Sequence, residues 1–441
     1  MKHIIAISGL IGTTAFSQNI EKPNIIVILM DDLGWGQVSC NGNPFYTTPH
    51  IDRLAREGVR FTNAYSSCAV SSPTRAALLT GKCPARMHLT NFIPGHNIKG
   101  ILQEPAWQKY LSLEEKTLAE IAREKGYVTG LFGKWHLAPA YTGDSANLFG
   151  PDKQGFQETE IFHKPSTEDR GKKDPHHTIA ITSKGCDFIR KNADKNFFLI
   201  LSHNAVHAPI MEDTALIQKY KNKKEASSKE NNPVIAAMME TADKQIGVIM
   251  NTLEETRLIN KTIVIFLSDN GGLLNHAAQT PLRAGKGFYY EGGIRVPLIV
   301  WYPEKIKPAV CDYPVISTDI FYTLSSIMGE EKFAVKDGMD ISTILFKHEI
   351  PSQERTLFWH YPHYHATGMK PGGAMRKGNY KLIVWYEKML NNEKCYELYD
   401  LSKDLSEEKD LSSQMPAVAE KMFEEYKQWL KETNAQMPIK K

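Results

Sequence analysis

The sequence predicts an α/β fold, with a mainly parallel sheet flanked by helices and a smaller α+β subdomain at the C-terminus, and three observations carry that prediction. Four short β-branched apolar runs read as strands buried on both faces: NIIVILM (Asn24 to Met30), YVTGLFG (Tyr127 to Gly133), FFLILS (Phe197 to Ser202) and TIVIFLS (Thr262 to Ser268). HIDRLAREGVRF, LEEKTLAEIAREKG and VIAAMMETADKQIGVIMNTLEET lie between them, with apolar residues at helical period and charged opposite faces. After about Gly338 the pattern changes. TLFWHYP, YKLIVWY and CYELYDL alternate as half-buried antiparallel strands do, and Pro416 to Asn434 reads as one amphipathic helix packed on them.

Residues 1–17 stand outside this scheme. Lys2 and His3, a short apolar stretch, and the small residues Ala15 and Ser17 before Gln18 form the pattern of a secretory signal peptide, too short to span a membrane. The expected division is therefore a signal peptide at 1–17, a catalytic domain at 18–345 and a C-terminal subdomain at 346–441, in a protein exported to the periplasm or beyond. Apolar residues make up 42% and charged residues 23%, and the net charge of +3 gives no grip on a polyanion, which excludes a nucleic-acid binder. The six cysteines have no metal-type spacing, and spacing alone cannot pair them as bridges.

What ends each apolar run is more informative than the run itself. The first stops at Asp31 and Asp32, the second at Lys134-Trp135-His136, the third at His203-Asn204 with His207 close behind, and the fourth at Asp269-Asn270. Ligands of open α/β sheets bind beyond the carboxyl ends of the strands, so these four ends imply one shared site. Asp31, Asp32, Asp269 and Asn270 offer only hard oxygen ligands, which suit Ca²⁺ or Mg²⁺ and disfavour zinc. Arg75, Lys134, His136, His207 and Lys286 add positive and proton-donating groups. His136, two residues after Lys134, is expected on the same side of an extended segment. A cation with several protein charges suits a tetrahedral oxyanion ester, a phosphate or a sulfate, whose central atom is attacked while an acid protonates the leaving oxygen.

The stretch SSPTRAALLTG (Ser71 to Gly81) resembles the signature of the type I sulfatases: Cys or Ser, any residue, Pro, any residue, Arg, then a Leu-Thr-Gly ending. Counted back from Pro73 and Arg75, the signature position is Ser71. Cys68 would need a proline where Val70 stands. PNIIVILMDDLGWG, TPHIDRLAREGVRFTNAY, GLFGKWHL, HNAVHAPI, FLSDNGG, TPLRAGKGFYYEGGIRVPLIV and ELYDLSKDLSEEKDL resemble further blocks of that family, in its order, from about Pro23 to Leu411. The resemblance implies an alkaline-phosphatase-like fold with a large mixed sheet. It further implies oxidation of Ser71 to formylglycine by a serine-accepting maturation enzyme, a bacterial trait, and calcium held by Asp31, Asp32, Ser71, Asp269 and Asn270. In the roles it implies, the formylglycine hydrate attacks sulfur, Arg75 and Lys134 hold that hydrate, and His136 takes the proton that drives its collapse. Lys286 grips the sulfate, and His207 protonates the leaving alcohol.

For the alcohol, the segment Trp359 to Ile383 is rich in His and aromatic residues. His360, His363, His365 and Arg376 are candidates to hydrogen-bond sugar hydroxyls, and Trp359 or Tyr361 to stack on a ring. Its wording is similar to that of carbohydrate sulfatases, which implies a sulfated glycan as substrate, with a 4-O-sulfated galactose or N-acetylgalactosamine end as the expectation. A phosphate- or phosphonate-ester hydrolase and an inactive glycan-binding homologue are the competing readings. Lysines at 134 and 286, where a second metal would sit, weigh against the first, and the intact set of candidate catalytic groups weighs against the second.

Overall fold

The computed structural model describes residues 22–96, 98–140 and 143–441, so the signal-peptide expectation for 1–17 lies outside the described residues. All four apolar runs are strands: Asn24–Met30, Val128–Gly133, Phe197–Ser202 and Thr262–Ser268. They form the centre of an eight-stranded mixed sheet. From one edge to the other the strands are Ala309–Cys311, Val59–Phe61, Leu298–Trp301, Thr262–Ser268, Asn24–Met30, Phe197–Ser202, Val128–Gly133 and Glu158–Ile161. Neighbours run parallel except Leu298–Trp301, which is antiparallel to both strands beside it. Every residue of Asn24–Met30 is buried, as continuous apolar runs in a sheet covered on both faces require.

One apolar layer lies on each face of the sheet. Ile25, Val27 and Leu29 pack into the layer with the helices Ser71–Thr80, Leu118–Glu124 and Ser317–Met328. Ile26, Ile28 and Met30 pack into the other, with Pro49–Glu57, Thr178–Lys191 and the long helix Pro233–Glu255. Caps explain where two helices depart from the sequence reading. The helix expected across LEEKTLAEIAREKG begins only at Leu118, because Thr117 and Glu120 close a capping box there. HIDRLAREGVRF splits at Gly58, where a side chain would run into the Val300 carbonyl, and Val59–Phe61 joins the sheet.

The C-terminal region holds a four-stranded antiparallel sheet of Thr356–Tyr361, Gly372–Lys377, Tyr380–Trp385 and Tyr396–Asp400, in that order. The strand Gly372–Lys377 was not legible, since its paired glycines depress strand propensity. The helix Pro416–Glu432 covers this sheet through Ala419, Met422, Tyr426 and Leu430, and Trp429 stacks on Phe358 at 4.9 Å. All six cysteines are free thiols. Among the described residues no helix is long and apolar enough to cross a membrane.

Candidate active site

The carboxyl ends of the four central strands meet in one buried polar cluster at the floor of a cleft of about 1110 Å³. Asp31 and Asp32 follow Asn24–Met30, and Asp269 and Asn270 follow Thr262–Ser268. All four are at most 2% exposed. They are tied together directly: the Asp32 amide donates to Asp269 Oδ1 (3.1 Å), and Asn270 Nδ2 donates to Asp32 Oδ1 (2.9 Å).

Ser71 reaches this cluster as the first residue of the helix Ser71–Thr80. Its Oγ lies 3.2 Å from both Asp31 Oδ1 and Asn270 Oδ1. The signature spacing has a helical reason. Pro73 sits in the first turn, where the missing N–H is no loss, and Arg75, four residues after Ser71, lies on the same face. Arg75 pairs with Asp269 Oδ2 at 2.7 Å and approaches Asp31 Oδ1 at 3.6 Å. Gly81 ends the helix at φ 68°, a left-handed conformation that a side chain resists. Cys68 is buried in the core under this helix, and burial pushes its thiol up to about 12, so it offers no thiolate at neutral pH.

Two lysines complete the charge pattern. Lys134 Nζ lies 2.7 Å from Asp31 Oδ2, and Lys286 Nζ lies 2.6 Å from Asp32 Oδ1. Burial works against all these charges, but Lys134, His207 and Arg75 hold the Asp31 carboxyl well below its usual value, and Lys286 and His207 lower Asp32. Burial pushes Lys134 down against the pull of Asp31, whereas Asp32 and Asp31 outweigh burial at Lys286 and raise it.

The two histidines are held in definite tautomers. His136 Nε2 meets the Ile93 carbonyl at 2.6 Å, so its proton sits there and Nδ1 carries the lone pair. Burial, then Lys134 and Arg75, keep this ring neutral. Lys134 and His136 both line the cleft, but not through an extended segment: His136 has φ 60°, and the backbone turns there. His207 gives its Nδ1 proton to the Ala208 carbonyl (2.5 Å), and its Nε2 lies 3.7 Å from Asp32 Oδ2. His176, buried beneath, bonds the His207 carbonyl through Nε2 at 3.0 Å.

Asp31, Asp32 and His207 each place one potential ligand atom within 4.8 Å of the others. With Asp269 and Asn270 added, the donor set is dominated by hard oxygen and fits a hard divalent cation; the imidazole is the odd member, better matched to softer metals. Three buried carboxylates are already matched by Arg75, Lys134 and Lys286. A bound divalent cation therefore makes the site net positive, as an anionic ester requires.

Of the four hydrogen-bonding substrate residues expected in the C-terminal segment, three are not in the cleft. His360 is buried between the Tyr386 hydroxyl (2.5 Å) and the Gln436 carbonyl (3.0 Å), and His363 between Thr90 Oγ1 (2.8 Å) and Glu104 (3.0 Å). Arg376 is buried against the Tyr65 hydroxyl and the Gly378 carbonyl. Trp359 and Tyr361 are enclosed too, donating to the Ser66 carbonyl and to Asn91 Oδ1. Alternating His and aromatic residues in this strand signal a polar-lined interior rather than a ligand face.

The fourth, His365, does line the cleft, and beside it stand Phe92 and His96, two residues that sequence reasoning missed. Their rings form a triangle, His96 at 4.5 Å from Phe92 and 5.1 Å from His365. Burial and the charge of Lys286 lower both imidazoles, His365 to about 3, so they meet a ligand as neutral groups. The only sequence signal for Phe92 and His96 was their place in NFIPGH, a short irregular loop soon after the signature helix.

The sulfatase family profile matches residues 23–330, and the profile of the N-sulphoglucosamine sulphohydrolase C-terminal region matches 284–436. The chain is 30% identical to a sulfatase of Formosa agariphila, over 94% of this chain and 90% of that one. It is 29% identical to an N-acetylgalactosamine-6-O-sulfatase of Bacteroides thetaiotaomicron, over 92% and 93%. The crystal structure of Ps i-CgsB in complex with k-i-k-neocarrahexaose superposes with a TM-score of 0.79 at 26% identity, covering 93% of each chain.

Proposed function

From the premise that this chain belongs to the sulfatase family, has the alkaline-phosphatase-like fold and is a sulfuric ester hydrolase acting on glycans, we propose that it removes 6-O-sulfate from a galactose-type sugar at the end of a chain. The observation that carries the catalytic part is the placement of Ser71 Oγ at 3.2 Å from both Asp31 and Asn270, on a helix N-terminus that opens into the cleft. The sulfate position rests on the N-acetylgalactosamine-6-O-sulfatase relative, and it moves the expectation from the 4-O to the 6-O isomer.

Calcium held by Asp31, Asp32, Asp269 and Asn270 would supply positive charge at the sulfuryl oxygens, and oxidation of Ser71 to formylglycine would supply a hydrated nucleophile in place of Oγ. The remaining work falls to side chains already in position. Arg75 and Lys134 fix residue 71 and the carboxylates around it. Lys286 binds the anionic head of the substrate. His207, with its Nδ1 proton committed to Ala208, presents Nε2 to the leaving sugar oxygen and protonates it from the doubly protonated imidazolium, a form that Asp32, 3.7 Å from Nε2, favours against burial. His136 accepts through Nδ1 the proton released at position 71. His365 and His96, neutral beside Lys286, hydrogen-bond the sugar hydroxyls next to the ester. Export fits the leader-like residues 1–17 and places the enzyme where sulfated glycans occur, with a serine-accepting maturation enzyme as its partner in the cell.

The test is co-expression with such a maturation enzyme, a mass measurement on the peptide bearing Ser71, and sulfate release from N-acetylgalactosamine sulfated at the 6- or the 4-position. Loss of two hydrogens at Ser71 with release from the 6-O isomer, abolished by Ser71→Ala, is the expected result. Release from the 4-O isomer alone overturns the positional assignment, and faster turnover of a matched phosphate ester overturns the reaction.

A further inference from the structure

Beside the cleft lies a second groove of about 300 Å³ that no step of the reaction uses. Phe288 lines both. From it a row of rings runs outward: Phe288 stacks on Tyr290 at 6.4 Å and 28°, and Tyr290 meets Trp385 at 6.4 Å. The row crosses from the catalytic region to the antiparallel sheet, since Trp385 ends the strand Tyr380–Trp385. The turn that carries His365 into the cleft continues through Gly368 to Pro371 along the groove wall.

Two of the rings are fixed by their polar ends. Tyr290 Oη and Trp385 Nε1 both donate to Glu397, each at 2.8 Å, and the Arg283 guanidinium lies 3.8 Å from the centre of the Tyr290 ring. Trp385 and Phe288 remain partly exposed. Tyr290 is buried within the row, and the open apolar surface of Trp385 and Phe288 on either side of it suits the C–H face of a pyranose, which rigid rings bind at low entropic cost. The rim pairs Lys370 with Glu387 at 2.7 Å and adds Lys388 and Glu397, so positive and negative groups are balanced. That balance suits sugar hydroxyls rather than a dense polyanion.

We propose that this aromatic row is a subsite for the sugar unit adjoining the sulfated one, so that the enzyme engages an oligosaccharide across both of its sheets. The proposal rests on the glycan reading above. Its occupant is the neighbouring pyranose of the same chain, continuous with the cleft through Phe288.

The experiment compares wild type, Trp385→Ala and Trp385→Phe on two substrates, a 6-sulfated monosaccharide and a tetrasaccharide ending in the same sulfated unit. Trp385→Ala is expected to raise KM for the tetrasaccharide roughly tenfold while kcat/KM for the monosaccharide stays within about twofold, and Trp385→Phe to restore most of the difference. Equal losses on both substrates, or an unchanged tetrasaccharide KM, overturn the subsite. Should neither substrate release sulfate, the reaction assignment fails by itself, and the subsite is then read from calorimetric binding of the desulfated tetrasaccharide. Binding to wild type that Trp385→Ala abolishes supports it, and no binding to wild type overturns it.

Discussion

Lys381→Met tests whether a buried ionic joint holds the two sheets together. Lys381 Nζ lies 2.8 Å from Glu291 Oε1 and 2.9 Å from Glu407 Oε1, and all three side chains are sealed from solvent. Glu291 is held from the other side by Arg295 at 3.1 Å and by the Tyr65 hydroxyl at 2.8 Å, with Arg376 behind Tyr65. Among the described residues the Glu407 carboxylate receives the Glu291 amide besides the lysine, and burial with the neighbouring Glu291 charge raises it despite Lys381. Methionine keeps the volume and removes the charge, leaving two carboxylates side by side in a dry interior. Breaking a buried pair in this way costs about 3–5 kcal/mol, a large share of the roughly 5–15 kcal/mol typical of a folded domain. Urea unfolding followed by far-UV circular dichroism at neutral pH measures it. Adding Glu407→Gln relieves the repulsion and keeps an acceptor for the Glu291 amide, so the double variant is expected to recover about half of the loss. A single-variant loss below about 1 kcal/mol, or strictly additive effects, would refute the joint as an energetic unit.

Two further perturbations follow from the scaffold. Asp243 accepts the His50 and Ile51 amides at 3.0 and 2.8 Å, yet burial raises its carboxyl to about 6. The folded protein thus binds a proton that the unfolded chain releases near 3.8, and stability falls as pH rises from 3.8 to about 6. Asp243→Asn should remove up to about 3 kcal/mol of that slope in denaturant melts across this range, and an unchanged slope would contradict the assignment. Gly81→Ala forces a Cβ at φ 68° into the Phe321 ring and should cost about 2–4 kcal/mol by thermal melting, whereas a neutral effect would mean that the end of the signature helix yields.

The catalytic scaffold was legible because its signals are local. Short, β-branched, continuous apolar runs read as strands covered on both faces, and the polar residues that end them emerge at one edge, so Asp31, Asp32, Lys134, His207, Asp269 and Asn270 were readable together. Ser71 and Arg75 share a helix face by a spacing that the sequence prints. What was not legible depends on tertiary placement. His360, His363 and Arg376 are polar residues in a strand-rich segment, and nothing local distinguishes a histidine facing a substrate from one enclosed by Tyr386, Gln436, Thr90 and Glu104. His96 and Phe92 belong to the cleft only because the loop after the signature helix folds back beside Lys286. The backbone turn at His136 was likewise invisible to a period-two argument.

The central pairing also has a consequence for how the chain is made. Asp32 bonds Asp269 across 237 residues of sequence, and the strand that carries Asp31 and Asp32 finds both of its sheet partners far downstream, at Phe198 and Ile263. At a synthesis rate of about 5–20 residues per second, NIIVILM waits roughly ten to fifty seconds for its last partner. During that interval it is a bare, uncharged, β-prone heptad, the kind of segment that nucleates aggregation unless something sequesters it. The carboxylates of the buried cluster therefore come together only when about three-fifths of the chain has been made, and until then the first strand depends on whatever shields it.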